Sequence, residues 1–495
     1  MDPPGDTQPP PPAISDRVLI GGTVAPVTLT ADGRLVWSGG RQRSLSVEKE
    51  VLGFAAEGPR IRIKAVVDDA SDQACCVGRK GGGGLVRKDI VFEPLSEESK
   101  SLWCEKLRGC LDSLDRPKKL FILLNPFGGK KLAPKTLANV VKPLLEDAGI
   151  QFDIQETQYQ LHAKEVARSL DLSKYDGIVC VSGDGILVEV VNGLLEREDW
   201  EAAMKVPIGI VPAGTGNGMV KSLLDSVGEP CTASYATLAI IRGHKKSLDV
   251  ATIKQGDAKY FSILMLSWGL VADIDIESEK YRWMGSARLD FYALQRILHL
   301  RRYSGHISFV PAPGYETYGE PTNYSGNFGG KDIAFEKSEG SSAKVEGQGY
   351  QGPDVKLEEL SWRSIDGPFI SIWLHNVAWG AEDIMAAPDA QLSDGCLDLI
   401  AIRDCPKLPL LSLMTELNNG GHVKSPHVTY IKVKAFVLEP GPRVDDPTKE
   451  GIIDTDGEVL AKGKGTFKSK HKTMMAYDKL LITVDQGLAT VFSPI

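Results

Sequence analysis

Between Lys119 and about residue 225, short strand-like runs alternate with segments in which apolar residues recur at helical spacing. The strand-like runs are residues 120–124, 152–156, 177–181 and 207–211, and the helical segments after them are residues 135–148, 162–170, 186–195 and 218–224. Strands that alternate with helices form βαβ units, which predicts a parallel sheet covered on both faces. Because such sheets bind ligands at the carboxyl ends of their strands, the loops after the four runs are predicted to carry a binding site.

The pattern on both sides of this region is that of an antiparallel sheet. From Arg17 to Phe92, short alternating runs are separated by Gly and Asp turns, and a helical segment follows from Ser96 to Leu111. This β-rich module, residues 16–115, resembles a pleckstrin-homology-like module in architecture. An N-terminal extension that packs on the next domain explains the pattern equally well. After about residue 247, strand-like runs return with one helical stretch at 287–300, which predicts a mainly antiparallel domain.

Two segments show neither the alternation of a strand nor the spacing of a helix. Residues 1–15 are rich in proline and are predicted to be a disordered tail. Residues 311–364 are rich in Gly, Pro, Ser and Glu and are predicted to form a long flexible insertion. The remaining chain divides into an α/β domain at 116–246 and a second domain at 247–495, in which this insertion lies.

Composition restricts the class of protein. A chain of 495 residues with 42% hydrophobic and 25% charged residues is typical of a globular protein with two or three domains. The net charge of -8 argues against a nucleic-acid partner. No apolar run reaches the roughly 18 residues that span a bilayer, and the N-terminus does not resemble a signal peptide. The eight scattered cysteines lack metal-ligand spacing, so no metal site is predicted and a reducing, cytoplasmic location is expected.

The most informative motif is Ser182-Gly183-Asp184-Gly185, which joins the apolar run 177–181 to the helical segment that begins at Ile186. Glycines at a strand-to-helix turn let a phosphate approach bare backbone N–H groups, and the helix N-terminus adds partial positive charge. An aspartate beside a phosphate is costly unless it has a chemical role, which makes Asp184 the candidate catalytic base. The alternative is that Asp184 only caps the helix at Ile186.

The other predicted strand ends carry similar chemistry. The loops after them are Asn125-Pro126-Phe127-Gly128-Gly129, the loop at Thr157, and Pro212-Ala213-Gly214-Thr215-Gly216-Asn217. Together the four loops predict a nucleotide cleft. No P-loop or protein-kinase motif is present, and Val188 stands where a dinucleotide fingerprint needs its third glycine, which disfavours NAD binding.

The motifs at 182–185, 189–193 and 212–217 resemble the diacylglycerol-kinase-type catalytic domain of lipid kinases. The run from Leu266 to Arg282 and the distant Asp456-Gly457-Glu458 are closely similar to the sphingosine kinase family. The resemblance covers about residues 118–310 and 367–490, in order. It implies an α/β domain that binds ATP with Mg²⁺, a β-sandwich domain that binds lipid, and a cleft between the two.

The resemblance also implies roles for individual residues. Asp184 would take the proton from the primary hydroxyl of the lipid. The implied nucleotide-binding residues are Asn125, Pro126, Phe127, Thr157, Ser182, Gly183, Gly185, Glu189, Gly214, Thr215, Gly216, Arg282, Arg288, Asp456, Gly457 and Glu458. The alternatives are that Glu189 is a solvated charge and that the two arginines lie on the surface. Animal sphingosine kinases carry an arginine at the position of Phe127, so either Lys130 or Lys131 replaces it or the nucleotide depends more on backbone donors.

The resemblance further implies that Ser182, Asp184 and Asp275 contact the lipid. A sphingoid base carries a protonated amine next to its primary hydroxyl, and a carboxylate at position 275 would select it over neutral lipids. Asp273 and Asp275 alternate along a predicted strand or loop, so only one of them is expected to face the cleft. The alternatives are a ceramide or diacylglycerol kinase of the same fold, an NAD kinase, and a non-catalytic lipid-binding protein on a kinase scaffold.

A substrate derived from membranes implies reversible membrane contact. The best amphipathic candidate is the helical segment 288–302, although an ordinary packed helix is the favoured interpretation of its pattern. We therefore expect a cytoplasmic protein that associates peripherally with membranes. The sequence leaves the oligomeric state open, a dimer included.

Overall fold

The computed structural model describes residues 13–38, 42–68, 84–129, 131–285, 287–323, 349–466 and 473–495. Most of the predicted disordered tail, residues 1–15, lies outside this part of the chain, but Ile14 and Ser15 already belong to the first strand. Within the described residues, no helix is both long enough and apolar enough to cross a membrane.

The N-terminal module is a seven-stranded antiparallel sheet closed by one helix, as the alternating pattern predicts. Its elements are β1 (Ile14–Ile20), β2 (Thr23–Leu29), β3 (Arg34–Ser38), β4 (Gln42–Ser46), β5 (Val51–Glu57), β6 (Arg60–Asp68), β7 (Leu85–Pro94) and α1 (Glu97–Asp112). The strand order is β4-β3-β2-β1-β7-β6-β5. Ser96 caps α1 by accepting the N–H of Ser99. Trp103 of α1 is fully buried, and its ring lies edge-on to that of Phe92 at 5.3 Å, so the helix is packed on the sheet.

This module is attached firmly to the domain that follows it. Leu52 and Val66 belong to the same apolar core as Leu145 and Ile241 of the α/β domain. The guanidinium of Arg116, in the linker, donates to the backbone carbonyls of Val47, Glu48, Val51 and Leu52. The two interpretations of the N-terminal pattern are therefore compatible, because the β unit has its own core and also packs on its neighbour.

The α/β domain has a parallel sheet in the order β9-β8-β10-β11, as its apolar runs predict. Its elements are β8 (Lys119–Leu124), α2 (Ala133–Thr136), α3 (Lys142–Asp147), β9 (Gln151–Glu156), α4 (His162–Ser169), β10 (Gly177–Ser182), α5 (Asp184–Leu195), α6 (Trp200–Ala203), β11 (Ile208–Pro212), α7 (Gly218–Asp225) and α8 (Ala233–Arg242). A π-helical turn, Leu137–Val141, joins α2 to α3. The central strand β10 is buried along its whole length, which explains its uninterrupted apolar sequence.

The C-terminal domain is mainly antiparallel. Its elements are β12 (Lys245–Gln255), β13 (Ala258–Ser262), β14 (Met265–Gly269), α9 (Leu270–Glu277), α10 (Ala287–Leu298), β15 (Tyr303–Pro311), β16 (Glu320–Thr322), β17 (Trp362–Asp366), β18 (Ser371–His375), β19 (Trp379–Ala381), β20 (Ile384–Met385), β21 (Leu397–Ile402), α11 (Lys407–Thr415), β22 (Val428–Arg443), β23 (Ile452–Thr455), β24 (Glu458–Lys462) and β25 (Leu480–Phe492). Short 3₁₀ segments occur at Leu172–Lys174, Ser278–Met284, Leu357–Glu359 and Gly421–Lys424.

The last strand connects the two large domains. β25 pairs antiparallel with β12 and β22, and its end runs parallel to β11, with Val491 opposite Ile208. The sheets are thereby continuous, and one apolar core includes Leu187 of α5 together with Phe261 and Ile263 of the C-terminal domain. The interface between the domains is therefore a packed core.

The prediction of a flexible insertion at residues 311–364 is wrong for both of its ends. β16 pairs with β17, which in turn pairs with β15, so these strands extend the sheet. Residues 324–348 lie outside the described part of the chain. The low apolar content of β16 is explained by its position at the edge of the sheet, where it pairs only with β17.

Candidate functional site

A cleft of about 910 Å³ lies where the carboxyl ends of β8, β9, β10 and β11 face the C-terminal domain. It brings together almost every residue that the sequence predicts for the site. These cleft-lining residues are Asn125, Phe127, Thr157, Ser182, Gly183, Asp184, Gly185, Glu189, Gly214, Thr215, Gly216, Asp275, Arg288, Asp456, Gly457 and Glu458. Pro126 is not among the residues that line the cleft. Arg282 lies in the 3₁₀ segment before α10, and its side chain is outside the described part of the structure.

Two glycine loops meet in this cleft by direct backbone contact. A Cβ atom on Gly214 would lie 2.3 Å from the Cα of Gly183, a distance that no side chain can occupy. Glycine at both positions thus allows the loop after β11 to pack against the start of α5. The result is a concave surface made of backbone, which suits a phosphate.

Asp184 is the first residue of α5, but its carboxylate is bound to a different helix. The carboxylate accepts the backbone N–H groups of Gly218 and Met219, at 2.8 and 3.1 Å, at the start of α7. The alternative that Asp184 caps its own helix is therefore wrong, since Gly183 occupies that N-cap position. Burial raises the pKa of the Asp184 carboxyl above its usual range, while the two N–H groups act in the opposite direction.

Glu189 and Asn125 shape the loops that line the cleft. The carboxylate of Glu189 accepts the N–H groups of Leu161 and Ala163, at 3.0 and 3.1 Å, and so caps the start of α4. The alternative that Glu189 is a solvated charge is wrong, and burial raises the pKa of its carboxyl. Asn125 Oδ1 accepts the N–H groups of residues 127 and 128, which folds this loop into a turn.

Phe127 stands where the resemblance implies an arginine beside the nucleotide. Its ring lines the cleft and is 66% exposed, so this position offers an aromatic face in place of that arginine. Lys131 is not among the cleft-lining residues, and Lys130 falls outside the described residues. The structure therefore gives no support to a replacement of the arginine by Lys131.

Asp273 and Asp275 lie on helix α9, and the expectation of a strand or loop for this segment is wrong. Residues two apart on a helix point about 200° apart, so the two carboxylates still diverge. Asp275 lines the cleft. Asp273 is buried, where its Oδ2 accepts the hydroxyl of Tyr303 at 2.6 Å and lies 3.1 Å from Nη1 of Arg301.

Arg288 of α10 faces the cleft, so the alternative of a surface arginine is wrong for this residue. Its side chain is 13% exposed, and its Nη1 donates to the hydroxyl of Ser278 at 3.0 Å. Its Nη2 lies 3.9 Å from Oδ1 of Asp275, which places one positive and one negative group side by side.

Asp456 and Glu458 close the cleft from the C-terminal segment. The Asp456 carboxylate accepts the N–H groups of Ile263, Leu264 and Met265 as well as the hydroxyl of Ser262, and so fixes the turn between β13 and β14. Burial raises the pKa of Asp456 to about 6 although these donors act against the shift. Glu458 accepts a hydrogen bond from Gln160 at 3.0 Å, which links the two domains across the cleft.

One part of the cleft has no counterpart in the sequence predictions. The hairpin β19–β20 contributes Gly380, Ala381, Asp383 and Ile384 to the lining. Its strands have three and two residues, which is too short for an alternating pattern to reveal. The glycine and the acidic pair Glu382-Asp383 were the available signals, but neither indicates a position in the fold.

The far wall of the cleft is apolar. It is built from the side chains of Val271, Ile274, Leu289, Ala293, Trp373, Ile384, Met414 and Leu417, all from the C-terminal domain. Among the described residues, no group of three or more His, Cys, Asp or Glu side chains is arranged to hold a metal ion. The cleft thus joins a polar, glycine-rich end to an apolar end, with Asp184, Asp275 and Arg288 among the residues that line it.

Comparison with known proteins identifies the family. The family model of the diacylglycerol kinase catalytic domain matches residues 119–253, and that of the YegS C-terminal NAD kinase beta sandwich-like domain matches residues 363–474. Sphingosine kinase 1 of Arabidopsis thaliana is 61% identical over 489 residues, which are 99% of this chain and 98% of that protein. The chain belongs to the sphingosine kinase family. The resemblance and the fold class predicted from the sequence are thereby confirmed, and the protein is a lipid kinase.

More distant relatives share less of the chain. Human sphingosine kinase 1 is 32% identical over 70% of this chain and 87% of its own length. Human ceramide kinase is 31% identical over 76% of this chain and 71% of its own length. The ceramide kinase alternative thus has only a distant relative in its favour, whereas a sphingosine kinase matches almost from end to end.

Proposed function

We propose that the protein transfers the γ-phosphate of ATP to the primary hydroxyl of a sphingoid long-chain base such as sphingosine, sphinganine or phytosphingosine, giving the 1-phosphate. The observation that carries this proposal is the position of Asp184. A buried carboxylate lies at a glycine-rich strand-to-helix turn, in a cleft with an apolar wall. That arrangement suits transfer of phosphate to a hydroxyl on a lipid.

In this reaction Asp184 is the base. The hydroxyl oxygen attacks the γ-phosphorus, the bond to the oxygen of the β-phosphate breaks, and the hydroxyl proton passes to the carboxylate. The raised pKa of Asp184 makes it a better proton acceptor than an exposed aspartate. The N–H groups of Gly218 and Met219 hold the carboxylate in one orientation.

The nucleotide binds to the glycine-rich end of the cleft. Backbone N–H groups of the loops at 182–185 and 215–216 approach its phosphates, with the partial positive charge at the start of α5. Arg288, and Arg282 by its position in the sequence, supply positive charge for the phosphates from the C-terminal domain.

Phosphoryl transfer from ATP uses Mg²⁺, which would be bound together with the nucleotide. Its usual ligands in phosphoryl-transfer sites are one or two carboxylates with phosphate oxygens and water, and the donors present fit that requirement. Glu458, which lines the cleft, would offer it a carboxylate oxygen, whereas both oxygens of Asp184 are already held by N–H groups of α7. When bound, the ion neutralises charge on the phosphates.

The lipid occupies the other end of the cleft. The apolar wall accepts the hydrocarbon chain, and Asp275 pairs with the protonated amine of the sphingoid base. Ceramide and diacylglycerol carry no positive charge at this position, so they cannot form this ion pair with the Asp275 carboxylate. This difference selects free long-chain bases.

The protein works in the cytoplasm and takes its substrate from a membrane surface. An apolar stripe of exposed side chains, Phe291, Leu294 and Leu298, lies on α10, whose opposite face lines the cleft. Leu408 of α11 continues the stripe, since Lys407 donates to the carbonyl of Leu298. Large exposed apolar patches mark contact sites, and this one lies beside the lipid end of the cleft. The face is apolar instead of basic, because Arg296 is buried.

The test is a substrate panel with the full chain. The protein is incubated with radiolabelled ATP and Mg²⁺ and with sphingosine, ceramide, diacylglycerol or NAD in mixed micelles. We expect label in sphingosine 1-phosphate alone. Label in ceramide or diacylglycerol would identify the protein as a different lipid kinase of the same fold. No label in any acceptor would indicate a non-catalytic scaffold.

A further inference from the structure

The start of helix α7, which holds the Asp184 carboxylate, is covered by the β19–β20 hairpin of the C-terminal domain. A Cβ on Gly218 would lie 2.5 Å from the carbonyl oxygen of Trp379, so the hairpin backbone touches the first turn of the helix. The N–H of Trp379 donates to the hydroxyl of Ser222 at 3.0 Å, and the N–H of Glu382 donates to the carbonyl of Gly216 at 2.9 Å. The hairpin therefore packs on both sides of the turn that leads into α7.

Asn217, the N-cap residue of α7, joins the parts that meet here. It is 3% exposed and has a left-handed backbone with φ of 57°. Its Oδ1 accepts the N–H of Gly214 at 3.1 Å, and its Nδ2 donates to Oε1 of Glu382 at 2.6 Å. One side chain thus connects the phosphate-binding loop, the start of α7 and the hairpin of the other domain.

We propose that Asn217 and Glu382 form a positioning pair for the catalytic base. The pair fixes the first turn of α7 against the hairpin, so that the N–H groups of Gly218 and Met219 hold the Asp184 carboxylate where the substrate hydroxyl arrives. Neither residue touches the reacting atoms. This inference rests on the proposed function, since it takes Asp184 as the base.

The charge of Glu382 has a second consequence. Its carboxylate adds to burial in raising the pKa of Asp184. Lys221 and Asp225 of α7 are also close, and they pair with each other at 2.8 Å, while Asp383 of the hairpin lines the same cleft as Asp184. Cys231 lies close by and is neutral at physiological pH, because burial raises the pKa of its thiol to about 12. Glu382 is therefore the charge whose removal should change the basicity of Asp184.

Two substitutions at one position separate these roles. In Glu382→Ala both the hydrogen bond and the charge are lost, and we expect kcat for sphingosine to fall by about 10- to 100-fold, the effect of a small misplacement of a catalytic group, with KM for ATP almost unchanged. In Glu382→Gln the carbonyl oxygen still accepts the Asn217 amide. We expect kcat near wild type at high pH, with the acid limb of the pH–kcat profile moved to lower pH.

Two further variants complete the design. Asn217→Gly keeps the left-handed backbone but removes the amide, and we expect the same loss of kcat as in Glu382→Ala. Asp404→Ala removes a carboxylate that is 91% exposed on the same domain and should change neither kcat nor the pH profile. Circular dichroism and thermal unfolding of each variant separate loss of fold from loss of positioning.

The outcomes are distinct. Wild-type kcat and an unshifted acid limb in both Glu382 variants, together with an active wild-type protein, would overturn the positioning pair and leave the proposed function intact. Loss of kcat in Glu382→Ala, together with near wild-type kcat and a shifted acid limb in Glu382→Gln, supports the pair. A structural role alone would not shift the pH profile. A wild-type protein that transfers phosphate to no lipid would overturn the proposed function and the pair with it.

Discussion

Asp275 and Arg288 lie side by side in the cleft, with Nη2 of the arginine 3.9 Å from Oδ1 of the aspartate. This distance is longer than a hydrogen bond, so the contact is weaker than a close ion pair. The two residues are those expected to meet the substrate amine and the nucleotide phosphates. When both substrates are bound, we expect Asp275 to pair with the amine and Arg288 to pair with a phosphate instead of with each other.

The first prediction concerns Asp275. The variant Asp275→Asn keeps the shape of the side chain but removes its charge, so the ammonium of the sphingoid base loses a charged partner. A hydrogen bond to a charged group contributes about 1.5–3 kcal/mol, so kcat/KM for sphingosine should fall by roughly 10- to 100-fold. Affinity for ATP, measured by calorimetry, should change little. An equal loss of turnover and of nucleotide affinity would show that Asp275 does not recognise the amine.

The second prediction concerns pH. Asp184 must be deprotonated to accept the hydroxyl proton, so activity is lost as the pH falls through its pKa. Because burial raises this pKa above the ordinary aspartate value of 3.8, the acid limb of the pH–kcat profile should lie clearly above that value. The measurement is kcat with saturating sphingosine and ATP across the acidic range. Full activity maintained down to pH 4 would contradict the assignment.

The third prediction concerns the apolar stripe on α10. In Leu294→Asp a charge replaces an exposed leucine that would be buried in the membrane surface. Burial of a leucine contributes about 1.5–3 kcal/mol, so binding to phosphatidylcholine–phosphatidylserine vesicles should weaken at least about tenfold. Activity on sphingosine in detergent micelles should be retained. Val24→Asp, at an exposed valine of the N-terminal module, is the matched control and should bind vesicles normally. Unchanged sedimentation of Leu294→Asp with vesicles would rule out this surface.

The fourth prediction concerns the attachment of the N-terminal module. Burial lowers the pKa of Arg116 to about 10, so its guanidinium is still charged at neutral pH while it donates to four backbone carbonyls. Arg116→Ala leaves these acceptors without a donor, which should cost about 1–3 kcal/mol in the free energy of unfolding. Arg60→Ala, at an exposed arginine, should have almost no effect. Equal thermal unfolding midpoints for the two variants would contradict the structural role of Arg116.

Much of the fold could be predicted because its signals are local. Three of the four strands of the α/β domain, β8, β10 and β11, are apolar runs next to helical segments, and the glycine loops follow them directly in the sequence. Asp184 was recognisable for the same reason. Its partners were not, since Gly218 and Met219 lie 34 and 35 residues further along the chain and meet it only through the parallel sheet.

Other features depend on contacts that no local pattern contains. The helix that carries Asp273 and Asp275 has a buried aspartate, which is stable only because Arg301 and Tyr303 approach from outside the helix. The short strands β16 and β17 lack an apolar pattern, and the β19–β20 hairpin is defined by its packing on α7. The sequence around Trp379 and Glu382 therefore does not indicate that this stretch packs on the helix that holds Asp184.

The proposed function requires Asp184 to accept the proton of a sphingoid-base hydroxyl during phosphoryl transfer. The most direct test is a single-turnover experiment with radiolabelled ATP already bound, in which sphingosine is added to the wild-type protein and to Asp184→Asn. We predict rapid formation of sphingosine 1-phosphate by the wild type, and almost none by the variant although it binds the same amount of ATP. Phosphate transfer by Asp184→Asn at a rate close to that of the wild type would show that Asp184 is not the base.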